Sequence, residues 1–189
     1  MKPFKVFVDP GHGGPDNGAA WGEKYDYLEE DDLNLNIGFL IRPELLLSGF
    51  EVRMSRESDE PVPLERRVAM ANYWGADVFV SIHADAFHNI TAKGITTHIY
   101  THASQDSLIL ATWVQAGLIK KFMDHTNRKV RKSNFYVLHH TTMPAVLVEC
   151  EFISNPDTRR FLKEPENQLA LAQAIGGGVK KYLATDQRR

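Results

Sequence analysis

Cysteine occurs once in this chain of 189 residues, at Cys150, so no intramolecular disulfide framework braces it and any metal site must draw on histidine and carboxylate. A charge excess is missing as well. The 22 basic and 24 acidic residues give a net charge of -2, which leaves neither a nucleic-acid footprint nor an electrostatic membrane anchor. No apolar run approaches the ~20 residues needed to cross a bilayer, so no membrane span is expected. The opening MKPFKVFVD lacks the apolar centre and the small-residue cleavage site of a signal peptide. Repeats, low-complexity tracts and linkers are absent too. With 43% hydrophobic residues, the chain reads as one domain over residues 1–184, followed by a polar tail at 185–189.

What is present begins with a buried strand at Val6, Phe7 and Val8, stopped by Asp9-Pro10-Gly11 and a glycine-rich turn that carries His12. An acidic cluster, Glu29 to Asp32, then precedes apolar residues at helical spacing, Leu33, Ile37, Leu40 and Ile41, which predicts a helix to about Ser48 with Pro43 kinking or splitting it. Phe50 to Ser55 alternates as a half-buried strand, and Pro63 opens a helix through Leu64, Val68 and Ala71. Asp77 to His83 is a second continuous apolar strand, and it also ends in a histidine. Residues 94–102 form a further strand, with His98 and His102 read as surface or edge residues; Ser104 caps a long helix expected to reach Asn127. The basic run Arg128 to Lys132 reads as a solvated loop, and Asn134 to Leu138 and Ala145 to Cys150 as strands. The last helix carries Gly176 to Gly178, which demands either close packing or a break.

This order predicts an α/β fold: a twisted, mainly parallel sheet of about six strands with helices on both faces. His12, His83 and Glu149 then stand at the C-terminal ends of sheet strands, where ligands bind in open α/β folds. Glu30 can reach the same edge. Two imidazoles and one carboxylate make a catalytic zinc set that leaves a position open for water, and a second carboxylate supplies the general base. Spacing alone leaves that reading evenly balanced against a structural one.

The motifs VFVDPGHGGPDNGA, EDDLNLNI, LERRVAMAN, VSIHAD, NFYVLHHTTMPAVLVE and FISNPD span nearly the whole chain. Together they resemble the zinc-dependent N-acetylmuramoyl-L-alanine amidases of the type 3 catalytic domain. The resemblance implies one Zn2+ held by His12, Glu30 and His83, with Glu149 as the catalytic carboxylate. It selects Glu30 over Glu29 because the family's ligand lies four residues before an asparagine, here Asn34. It also implies hydrolysis of the amide between N-acetylmuramic acid and L-alanine in peptidoglycan. Asn17, Asp85, His140 and Glu151 are further candidates for contacts to substrate or ligands. Glu151 departs from the family, which usually has a small residue there, and two carboxylates would share a face if the strand continues.

Three other readings compete: a zinc peptidase on another cell-wall substrate, a non-catalytic wall-binding module, and a cysteine hydrolase built on Cys150. A monomer is expected. The missing leader, and the lack of room for an inhibitory helix before Ser104, point to a phage endolysin or a small autolysin, with the endolysin favoured. Such a protein is made in the cytoplasm and reaches the cell wall by phage-type lysis.

Overall fold

The computed structural model describes residues 2–185. In chain order it contains β1 (Lys5–Pro10), β2 (Ala20–Trp21), β3 (Leu28–Glu29), α1 (Glu30–Leu46), β4 (Glu51–Met54), α2 (Leu64–Trp74) and β5 (Val78–Asp85). There follow β6 (Ile95–Tyr100), α3 (Gln105–Lys121), β7 (Asn127–Ser133), α4 (Tyr136–His140), β8 (Ala145–Phe152), α5 (Pro156–Lys163) and α6 (Pro165–Thr185). Six strands form one sheet in the order β4-β1-β5-β8-β6-β7. Only the β6–β8 pairing is antiparallel, so the expected mainly parallel α/β sheet is present.

Strand alternation divides the core in two. Val6, Val8, Val80, Ile82, Val146 and Val148 face the layer built from α1, α3 and α6, while Phe7, Phe79 and Leu147 face α2 and α4. The first layer is continuous. The second is short, because α2 and the five-residue α4 leave the C-terminal ends of β1, β5 and β8 uncovered. This asymmetry opens the cleft described below.

Several boundaries differ from those read in the sequence. Residues 128–132 belong to β7, an edge strand, because a sheet margin tolerates charges that block pairing with another chain. Helix α3 correspondingly ends at Lys121 and not near Asn127. The apolar run expected as a strand at 134–138 instead forms most of α4, which buries Val137 and Leu138; a run this short carries no decisive period. His98 is not an edge residue. It sits half-buried on an interior strand, its Nδ1 2.7 Å from Ser133 Oγ, whereas His102 lies exposed beyond the strand. Helix α1 is not split: it runs through Pro43 in one piece. Likewise α6 continues through its glycines, and a Cβ on Gly178 would meet Val114 Cα at 2.5 Å, so close packing against α3 explains the residue. Of the expected tail, Thr185 closes α6 and the remainder lies outside the described residues.

Candidate metal centre

Three elements bring the site together. The amide of Gly11 donates to Ile82 O at 3.0 Å, which carries the chain off β1 toward the end of β5, and His12 follows at φ 61. The two-residue β2–β3 ladder folds the intervening loop back, so that α1 begins beside the same sheet edge. In its first turn, Glu30 is 4% exposed and points inward, held by the amides of Ala19 at 2.8 Å and Ala84 at 3.1 Å. The acidic cluster thus combines a helix-terminal role with a site residue.

Glu30 Oε1 lies 2.9 Å from His83 Nδ1 and 3.3 Å from His12 Nε2. Donor atoms of His12, Glu30 and His83 all fall within 4.8 Å of one another, close enough to ligate one ion. Asn34 Nδ2 reaches Glu30 Oε1 at 3.3 Å, whereas Glu29 turns outward to Asn17 and Tyr27. Of the two glutamates, Glu30 is thus the one that faces both imidazoles. Two glycines make the approach possible. A Cβ on Gly11 would stand 2.2 Å from the His83 ring, and one on Gly18 would stand 2.6 Å from both Glu30 and the His12 ring.

Electrostatics follow from this packing. Burial opposes a charge on His12, but the hydrogen bond and charge of Glu30, together with Asp16, outweigh it and raise the imidazole to about 9. Glu30 is pulled far below the usual carboxylate range despite its burial, because both imidazoles face it. Asp16 Oδ2 is 2.9 Å from His12 Nδ1, which fixes the ring and leaves Nε2 directed at Glu30. Asp16 is not among the candidates named from the sequence; the signal for it was its place four residues beyond His12 in one tight loop, closed by Gly13 N donating to Asp16 O at 2.8 Å.

Glu149 pairs in register with His83 across β5 and β8. It lines a cleft of about 420 Å³ with His12, Asp16 and His83, walled by Val62–Leu64 on one side and Phe135–Val137 on the other. Although the residue is half-buried, its Oε2 is sealed from solvent and makes no hydrogen bond. Burial, then the charges of Glu30 and Asp85, push its carboxyl well above the ordinary range.

The other candidates are dispersed. Asp85 ends β5 half-buried, with its carboxyl raised by burial. Asn17 braces its loop onto the start of α1 through Glu29 and through its own carbonyl, which accepts from Asp31 N at 3.2 Å. His140 stacks on Tyr136 at 4.0 Å, exposed and outside the cleft. Glu151 does not share a face with Glu149. A bulge places Asp85 opposite Phe152, where a regular ladder would have Glu151, and turns Glu151 toward a separate cavity. There it accepts from Gly94 N at 2.6 Å and stands 2.8 Å from His125 Nδ1. Cys150 packs in the core behind the sheet, its thiol pushed up by burial.

Donor chemistry of this kind suits zinc: two imidazoles and a carboxylate whose charge the pocket already stabilises, with an unpartnered carboxylate beside them. Comparison with known proteins points the same way. Residues 6–181 match the family model described as N-acetylmuramoyl-L-alanine amidase. The probable cell wall amidase LytH of Staphylococcus aureus is 37% identical over 179 residues, 95% of this chain and 58% of that protein. This chain thus spans little more than half the length of that relative. The crystal structure of N-acetylmuramoyl-L-alanine amidase from Clostridium difficile 630 superposes with a TM-score of 0.92 at 36% identity, covering 98% of this chain and 100% of that one. The catalytic domain of CwlV, an N-acetylmuramoyl-L-alanine amidase from Bacillus (Paenibacillus) polymyxa var. colistinus, gives 0.89 at 31% identity, covering 97% and 99%. Fold and sequence agree along the match, and the chain belongs to the N-acetylmuramoyl-L-alanine amidase family.

Proposed function

We propose that this protein is a zinc-dependent N-acetylmuramoyl-L-alanine amidase that hydrolyses the amide joining the lactyl group of N-acetylmuramic acid to L-alanine in peptidoglycan. The observation that carries this reading is the unpartnered Oε2 of Glu149 beside the His12, Glu30 and His83 cluster. His12, Glu30 and His83 would hold the ion, with Asp16 orienting the first of them. Zinc, when bound there, supplies Lewis-acid polarisation of the amide carbonyl and lowers the pKa of water. Glu149, which lines the cleft beside these residues, accepts the proton of the attacking water on its carboxylate. In the second half of the reaction the same carboxyl returns that proton to the leaving nitrogen of L-alanine. Val62–Leu64 and Phe135–Val137 wall the cleft in which the scissile bond would lie. No side chain acts as a nucleophile.

Digestion of peptidoglycan with wild type, chelated protein and Glu149→Ala tests the proposal. New L-alanine amino termini without shortened glycan are expected from wild type only, with zinc restoring the chelated sample. Full activity in Glu149→Ala overturns the assigned mechanism.

A further inference from the structure

The sheet face that carries Glu149 continues beyond the cleft, across β6 to β7. Across the antiparallel pairing, Glu149 stands opposite Thr96 and Leu147 opposite His98; across the next pairing, His98 stands opposite Arg131. Residues paired across neighbouring strands project to the same face. Arg131 therefore shares the face of Glu149, two strands away and level with Leu147, or about 12 Å at a strand spacing of ~4.8 Å and a rise of ~3.4 Å per residue. The intervening Thr97 points the other way, into the α3 layer, where its hydroxyl meets Gln115. Arg131 is exposed and gives only its Nε to the carbonyl of Arg128, at 3.2 Å. Beside it, Arg128 lies over the Phe152 ring at 4.8 Å and donates to Lys93 O at 3.1 Å. Among the described residues neither guanidinium has a carboxylate within ion-pair distance. His98 between them is held neutral, pushed down to about 4 by burial and by Arg131, His83 and Arg128, so the positive charge rests on the two arginines.

We propose that Arg131, backed by Arg128, forms a carboxylate-binding subsite for the acidic residue that follows L-alanine in the stem peptide, favouring its free carboxylate over its carboxamide. The proposal rests on the amidase reading above. Geometry matches it: that residue begins one peptide unit, about 3.8 Å between Cα atoms, beyond L-alanine, and a flexible arginine covers the remaining distance. Chemistry matches too, since a guanidinium fork binds a planar carboxylate with two parallel hydrogen bonds and gains little from a neutral amide. Lysine would serve equally well merely to keep an edge strand from pairing, and Lys129 and Lys132 already stand on β7.

Two defined substrates test it: N-acetylmuramoyl-L-alanyl-D-isoglutamate and its D-isoglutamine counterpart, which differ only in that carboxylate. Wild type is expected to favour the acid by ~10-fold in kcat/KM, the size of one charge-assisted hydrogen bond, mainly through KM. Arg131→Gln should bring the ratio of acid to amide close to one, Arg128→Gln should lower it less, and Arg131→Lys should keep part of it. Added salt should erode the wild-type ratio. Equal rates on the two substrates, or an unaltered ratio in Arg131→Gln, overturn the subsite and leave the amidase reading standing. Failure of wild type to cleave either substrate overturns both.

Discussion

Arg67 and His12 are joined by a hydrogen bond of 2.6 Å from the guanidinium to the histidine's main-chain carbonyl, not to its ring. His12 sits at φ 61, a left-handed conformation that costs a non-glycine residue about 1–3 kcal/mol unless its surroundings impose it. Arg67 imposes it. The same side chain, 4% exposed, donates to Asp9 Oδ1 at 2.8 Å, to Pro10 O at 2.5 Å and to Val62 O at 2.8 Å. One arginine from α2 thus ties the end of β1, the loop of His12 and one cleft wall into a unit.

Replacing Arg67 by alanine should therefore remove stability and metal affinity together. Stripping one partner from a buried ion pair costs about 3–5 kcal/mol because the other charge is left without compensation. Here that charge is Asp9, whose remaining partner is Ser81 Oγ at 2.8 Å. Urea denaturation of zinc-free Arg67→Ala should show a loss of at least ~3 kcal/mol. Arg67→Lys, which restores the charge but not the fork, should lie between. A loss below ~0.5 kcal/mol, the range of an ordinary surface substitution, rules out the clamp.

Gly11 offers a narrower test, since the space its missing side chain leaves is filled by the His83 ring. In Gly11→Ala the imidazole must move, and a ligand displaced from its set should cost 10-fold or more in zinc affinity, the scale seen when the support of a metal ligand is removed. Overpacking should cost a further ~1–3 kcal/mol of stability. Competition with a chromophoric chelator measures the first effect. Wild-type zinc affinity in this variant contradicts the packing described.

The contrast between strand ends and strand edges explains what could be read from sequence. His12, His83 and Glu149 each follow an apolar run, so their convergence at one sheet edge needs only the parallel order of three strands. Glu30 was ambiguous for a physical reason: an acidic first turn compensates a helix dipole whether or not one of its carboxylates faces a ligand. β7 was illegible because a charged edge strand and a solvated loop have the same composition. Glu151 depends on a bulge. One extra residue between Glu149 and Phe152 reverses a face, and neither alternation nor motif register reveals it.

Zinc binding should release a proton from His12. In the metal-free protein its imidazole is raised to about 9 by Glu30 and Asp16 against the opposing effect of burial, while zinc requires the neutral ring. The sign follows: stability contributed by the charged imidazole is complete below its ordinary value of 6.5 and is lost as pH climbs through about 9. Zinc affinity moves oppositely, rising over that window. Calorimetric titration at pH 7.5 in buffers of different ionisation enthalpy should report close to one proton released, declining above about pH 9. Asp16→Asn should lower the release and weaken zinc binding by 10- to 100-fold. Release that does not depend on Asp16 removes it as the partner of His12.

Glu149→Gln should separate what the carboxylate does for the reaction from what it costs the fold. Burial, with Glu30 and Asp85 near, raises its carboxyl well above 4.5, so the folded state holds its proton more tightly than the unfolded chain. Below that value both states are protonated and the substitution changes little. As pH rises through the window between the unfolded and folded values, the unfolded chain ionises freely and wild-type stability falls. Zinc-free Glu149→Gln escapes this loss. Its stability should equal wild type near pH 4 and exceed it by at least ~1 kcal/mol at pH 8, the minimum cost of a buried polar group without a partner. Hydrolysis should fall by ~10²–10⁴, the contribution of a positioned acid–base group, while zinc still binds through His12, Glu30 and His83. Equal stability at pH 8 denies that Oε2 is sealed and unpartnered. Retained hydrolysis assigns the proton to another group, and Asp85, the other carboxylate whose charge Glu149 feels besides Glu30, becomes the residue to replace next.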